Sequence, residues 1–142
     1  MNHCRPIPDI SSIRGITLIE LVIVMAVMSI LIMAAVPSYR NHVLRVHRGE
    51  AVRLLLQAAM CQERIHANLG SYDTGKCQPA SEQRRYKLTY NAPGTLGQTY
   101  TVTAVPLGAQ QADPCGSLSM EQSGNRSISA DGISAMKCWN GR

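Results

Sequence analysis

The sequence predicts an α+β protein, with one long N-terminal helix packed on an antiparallel sheet of three or four strands. Three observations predict it. An apolar run, Ile16 to Val36, leads into an amphipathic pattern that ends near Leu69. Beyond Gly70 the helical spacing stops and period-2 alternation takes over. Four of the five cysteines, Cys61, Cys77, Cys115 and Cys138, follow the run, as a small domain needing covalent staples would place them.

The 21 residues from Ile16 to Val36 are apolar apart from Thr17, Glu20 and Ser29, and Glu20 alone is ionisable. At about 1.5 Å per residue the helix is about 32 Å long, which matches a hydrocarbon core of about 30 Å. A core helix in so small a protein would rarely be apolar all round, so the run reads as a membrane span. It is longer than the apolar part of an ordinary secretory signal, and no A-x-A-like site ends it.

The helix continues past the span. Ala51, Leu54, Ala58, Cys61, Ile65 and Leu69 recur every three or four residues, while Arg48, Glu50, Arg53, Glu63 and Arg64 fall on other faces. Gly70 suits a C-cap. The expectation is a single helix from about Ile16 to Leu69, kinked at Pro37, which lacks the N–H the ladder needs.

After it, Tyr72 to Arg84 is a loop rich in Ser, Gly, Asp, Pro and Thr. Tyr86, Leu88 and Tyr90 alternate with Lys87 and Thr89; Tyr100, Val102 and Ala104 alternate with Thr101 and Thr103. Asn91 to Gln98 holds Pro93, Gly94 and Gly97 and connects these two strands. Pro106 to Pro114 reads as a loop. Leu118 to Glu121 and Arg126 to Ala130 flank Ser123-Gly124-Asn125 as a hairpin would.

The chain of 142 residues is long enough for about one domain. Phe is absent and there is one Trp, so the core relies on aliphatics and five Tyr. The net charge of +5 favours an anionic partner only weakly. Four cysteines in a small domain beyond a span imply two disulfides in an oxidising compartment, with three pairings open. A zinc site would want a C-x-x-C pair, and there is none. Arg40, Arg45, Arg48 and Arg53 closely follow the span, which by the positive-inside rule would keep that side in the cytoplasm. The cysteines argue the opposite.

Arg14-Gly-Ile-Thr-Leu-Ile-Glu-Leu-Val-Ile-Val24 resembles the class III signal of type IV pilins and pseudopilins. A mostly polar leader precedes a Gly, a Glu stands fifth after the Gly, and about twenty apolar residues follow. Tyr100-Thr-Val-Thr-Ala-Val-Pro106, Gln110, Asp113-Pro-Cys-Gly-Ser-Leu118, Gly124, Asp131 and Cys138-Trp139 look like the minor pilins of the PilE and ComP-like group. The resemblance implies the type IV pilin fold. It implies a leader, 1–15, removed between Gly15 and Ile16 by a prepilin peptidase that then methylates the Ile16 amine. The family commonly has Phe there. It implies a span that later becomes filament core, 16–36, and a head, 37–142, facing the periplasm. Pro37 matches a proline common in pilins, while Ser29 stands where the family often has Gly.

The resemblance also gives roles. Glu20 would pair with the Ile16 amine of a neighbouring subunit, a bond that sets register more than it adds stability. The disulfides implied are Cys61–Cys77 and Cys115–Cys138. The partners implied are other pilins through the N-terminal helix, the prepilin peptidase and the inner-membrane pilus assembly machinery, with no cofactor and no enzyme activity. The implied function is a minor pilin incorporated into, or priming, a type IV pilus, first in the inner membrane and then outside the cell. A type II secretion pseudopilin shares the signal but typically lacks the C-terminal cysteine pair.

No hydrolase, phosphate-loop, zincin or dinucleotide motif is present. His42, His47 and His66 read as exposed helix residues, and Asp73, Asp113 and Asp131 as turn residues. Arg84, Arg85 and Lys87, with Arg126 and Lys137, form a candidate basic face for DNA, as in DNA-binding pilins of natural transformation. The plainer reading is a charged strand edge that resists aggregation.

Overall fold

The computed structural model describes residues 15–77, 85–92 and 97–141. The chain forms two compact units, residues 1–37 and 38–142.

The long helix, α1, runs from Leu18 to Leu69 with Pro37 inside it. It starts two residues later than Ile16 because Thr17 caps it. The Thr17 hydroxyl accepts the Glu20 N–H at 3.4 Å, and its carbonyl accepts the Leu21 N–H at 3.2 Å. Thr17 and Glu20 have the spacing of a capping box. Pro37 does not end the helix. At the far end Gly70 takes φ 70° and donates to the His66 carbonyl at 2.8 Å, the left-handed stop the sequence implied.

In the first unit α1 has no covering layer. Every large apolar side chain from Ile16 to Val36 is at least 45% exposed. Ser29 donates its hydroxyl back to the carbonyls of Met25 (2.7 Å) and Ala26 (3.0 Å), so this polar group is satisfied inside the apolar helix.

The head is built on a four-stranded antiparallel meander, in the order β1 (Tyr86–Asn91), β2 (Thr101–Pro106), β3 (Leu118–Glu121), β4 (Arg126–Ile128). Alternation sends Tyr86, Leu88, Val102, Ala104, Leu118 and Met120 to one face, where they form the core with Ala51, Leu54, Leu55 and Ala58 of α1. The other face carries a cross-strand row of hydroxyls, Thr89, Thr103, Ser119 and Ser127. Pro106 is the last residue of β2 and Asn91 the last of β1, not loop residues. Pro106 is tolerated at a strand end, where it owes the ladder no donor. Two short elements complete the head: a 3-10 helix, η1 (Gly108–Ala112), and α2 (Ala135–Trp139), which brings Trp139 into the core.

The buried face of α1 corrects the sequence reading. Arg48, Ala51, Leu54, Leu55, Ala58 and Gln62 are buried, whereas Leu69 is 59% exposed. Arg48 therefore faces the core, not solvent.

Candidate functional site

Gly15, Ile16 and Thr17 lie ahead of the first turn of α1, all exposed. Glu20 is exposed in that first turn. The helix dipole favours a carboxylate there, and the capped N-terminus leaves it beside the chain segment that precedes the helix. Glu20 is an isolated acid on an uncovered apolar surface. Its surroundings can accept an ammonium, and they supply none from within the described residues.

Two disulfides brace the head, Cys61–Cys77 and Cys115–Cys138. The first ties the end of α1 to the loop that follows. Buried Gln62 reinforces it, donating to the Asp73 carbonyl at 2.9 Å and accepting the Asp73 N–H at 3.1 Å. The second ties the turn before β3 to α2. Sequence reasoning missed Gln62, because an amide on a core face announces no partner.

A buried ion pair joins α1 to the segment after η1. Arg48 donates to both Asp113 oxygens, Nε to Oδ2 at 2.9 Å and Nη2 to Oδ1 at 2.6 Å, with side-chain exposures of 5% and 0%. The Cys115 N–H (3.0 Å), the Gln110 amide (3.0 Å) and the Tyr86 hydroxyl (3.4 Å) add to the carboxylate. Burial pushes the Asp113 carboxyl up, but the Arg48 and Cys115 hydrogen bonds outweigh it, and the net shift is downward. Burial, and then the Asp113 charge, push Tyr86 up to about 12. Asp113 is thus a core anchor and not a simple turn residue. Asp73 does behave as a turn residue, accepting the Gly75 N–H at 3.0 Å.

The basic residues fall in separate places. Arg85 pairs with Glu50 at 3.0 Å. Lys87 is exposed on β1, the first strand of the sheet. Arg126 lies on β4 at the opposite edge, its guanidinium 5.0 Å from the centre of the Trp139 ring, and Lys137 lies on α2, two residues before that Trp. Arg84 lies outside the described residues. Among the described residues, no three His, Cys, Asp or Glu side chains are grouped to hold a metal.

A helix with a naked apolar start, a single carboxylate in its first turn, and a disulfide-braced four-stranded head define a type IV pilin. Comparison with known proteins agrees. The family described as type IV minor pilin ComP, DNA uptake sequence receptor, matches residues 37–119, and the prokaryotic N-terminal methylation motif matches residues 10–36. The chain belongs to this ComP family of type IV minor pilins. A type IV pilin from Shewanella oneidensis superposes with a TM-score of 0.52 at 26% identity, over 64% of this chain and 98% of that one. The non-core minor pilin PilV of Neisseria meningitidis shares the fold with a TM-score of 0.52 at 21% identity, over 67% of this chain and 95% of that one. No curated protein matches the sequence.

Proposed function

We propose that this minor pilin is a structural subunit without catalysis of its own, built into a type IV pilus or its initiating complex through residues 16–36. The observation that carries the proposal is the pairing of opposites on one helix. The first part of α1 exposes all its large apolar side chains around one acid, and the later part is buried in a finished head. A surface of that kind must be covered, first by lipid and then by other pilin helices. Cleavage after Gly15 by a prepilin peptidase creates an amine at Ile16, the cation that Glu20 lacks. The two disulfides fit a head on the periplasmic side, which the assembly machinery then extracts into the filament. Mass spectrometry of the membrane-bound form tests the processing step. The expected chain begins at methylated Ile16; a chain still beginning at Met1 in cells with active peptidase overturns the proposal.

A second reading is favoured by one observation. The family matched over residues 37–119 is described as a DNA uptake sequence receptor. Of the basic residues, Arg126, over the Trp139 ring, and Lys137, on α2, are the candidates for a phosphate backbone, since Arg85 is already engaged. Gel shifts with duplex DNA at moderate salt test it, with no shift as the result against it.

A further inference from the structure

We propose that a small groove in the head, where α1 meets α2 and the turn at Cys115, binds a single phosphate group. The groove has a volume of about 260 Å³. Asn41, Arg45 and Arg48 line it from α1, at spacings that share one helix face. Ile133 and Lys137 line it from the other side. Arg48 and Cys115 are buried and form its floor, while Asn41, Arg45, Ile133 and Lys137 are exposed and form its rim. No acid lines it.

Arg48 is the central group. A guanidinium carries N–H donors on Nε, Nη1 and Nη2. Asp113 takes Nε and one N–H of Nη2, at 2.9 and 2.6 Å. Nη1 makes no hydrogen bond among the described residues, and it is not sealed from solvent. The side chain is only 5% exposed, so the donors it has left open into the groove it lines. There Nη1 and Nη2 present parallel N–H bonds, the fork that suits two oxygens of one oxyanion. Arg45 and Lys137 add a cation from each wall, and neither has an ion-pair partner among the described residues. Three cations less the Asp113 charge leave +2 around the groove. A cleft lined by one sign of charge concentrates counter-ions. Pockets for drug-sized ligands hold roughly 300–1,000 Å³, so this smaller one takes a single group. A carboxylate offers two oxygens in one plane, whereas a tetrahedral phosphate offers oxygens to the floor and to both walls. The phosphate is either free or part of a nucleic-acid strand. Once bound, it ties α2 to α1 beside the Cys115–Cys138 disulfide. The groove does not rest on the Arg126–Trp139 contact. Lys137 alone is common to both, so Arg45 is the residue to change.

The full chain in a neutral detergent, at about 0.15 M salt to screen diffuse attraction, tests the site by phosphorus NMR. Inorganic phosphate and a thymidine dinucleotide with one internal phosphodiester are titrated separately. Arg45→Gln is expected to weaken phosphate binding about tenfold, the loss of one charged hydrogen-bond donor. Arg64→Gln, on α1 but outside the groove, should leave it unchanged. Ile133→Trp narrows the groove, keeps every charge, and should abolish binding. All three positions are exposed, and near-UV circular dichroism checks that each variant is folded. A dinucleotide that binds with the same dependence on Arg45 supports the groove and makes the source a nucleic-acid strand. Binding of inorganic phosphate alone supports it and makes the source free phosphate. No binding by the wild type, or equal weakening by Arg45→Gln and Arg64→Gln, overturns the proposal. So does unchanged binding in Ile133→Trp, which means a diffuse positive surface only. Displacement of phosphate by an equal concentration of acetate also overturns it, in favour of a carboxylate from a neighbouring subunit. Pilus incorporation and DNA binding through Arg126 are scored by their own experiments and survive each of these failures.

Discussion

Arg48 and Asp113 form the contact on which the head's internal order most depends. They are 65 residues apart, both are buried, and the carboxylate is saturated with donors. A buried pair of this kind adds little over a well-packed apolar pair, but removing one partner strands the other charge at a cost of about 3–5 kcal/mol. Asp113→Ala is therefore expected to destabilise the head by about 3 kcal/mol or more, lowering Tm by at least about 12 °C in a domain of this size. Arg48→Met with Asp113→Leu should recover most of the loss, and calorimetry of the three proteins decides it. The pH dependence has a definite sign. The folded-state pKa of Asp113 is depressed, so its contribution is fully present above the ordinary carboxylate value of about 3.9 and is lost as pH falls through the lower folded value. Acid titration of Tm should show this loss below about pH 4 in the wild type and a shallower one in Asp113→Asn.

At the scale of elements, the head is a short sheet closed by two covalent staples. Their sequence separations are 16 and 23 residues, each worth about 3 kcal/mol in the chain-entropy account. Cys115→Ser with Cys138→Ser should cost at least as much as the Cys61/Cys77 pair replaced in the same way, because the longer loop gains more freedom when opened. Urea midpoints of the two double variants check this; a markedly smaller effect for the longer loop would contradict it. The long helix and the first two strands were legible from periodicity, since 3.6- and 2-residue spacings survive in a single sequence, and the last two from the turn between them. The exact buried stripe was not. Arg48 and Gln62 are polar, and what lets them face inward is a partner elsewhere: Asp113 for one, the Asp73 backbone for the other. Nothing near Arg48 in the chain signals Asp113. The five-residue elements η1 and α2 are too short to display a period, so the segments around Gln110 and Trp139 showed only their loop chemistry. Of the candidate functional residues, Glu20 was legible because a lone acid in an apolar run contradicts its surroundings. The basic face was not, since Lys87 belongs to the β1 edge of the sheet and Arg126 to the β4 edge.

At the scale of the whole molecule, the two units make separable demands. A DNA contact confined to the head at Arg126 and Lys137 would neutralise two phosphates, giving a log–log salt slope of about −2. Lys137→Gln should make that slope shallower by about one, and an unchanged slope excludes this pair as the contact. Assembly, as proposed, places its demand on residues 16–36. Glu20 sits near the end of the apolar helix, where an acid is tolerated at the membrane edge at less than the roughly 3 kcal/mol it costs at mid-bilayer. Inside a bundle of pilin helices no water reaches it, and it must find a cation or lose its charge. Glu20→Ala removes that requirement and, on the proposed pairing, the register that goes with it. The head, a separate compact unit, should keep its fold, its disulfides and its melting temperature. The variant is expected in normal amounts in the membrane and at several-fold lower amounts in sheared pili. Glu20→Gln separates charge from shape: it restores the side-chain volume and should remain as depleted as Glu20→Ala. If immunoblots find Glu20→Gln in pili at the wild-type level, the amine pairing is not what registers this subunit in the filament.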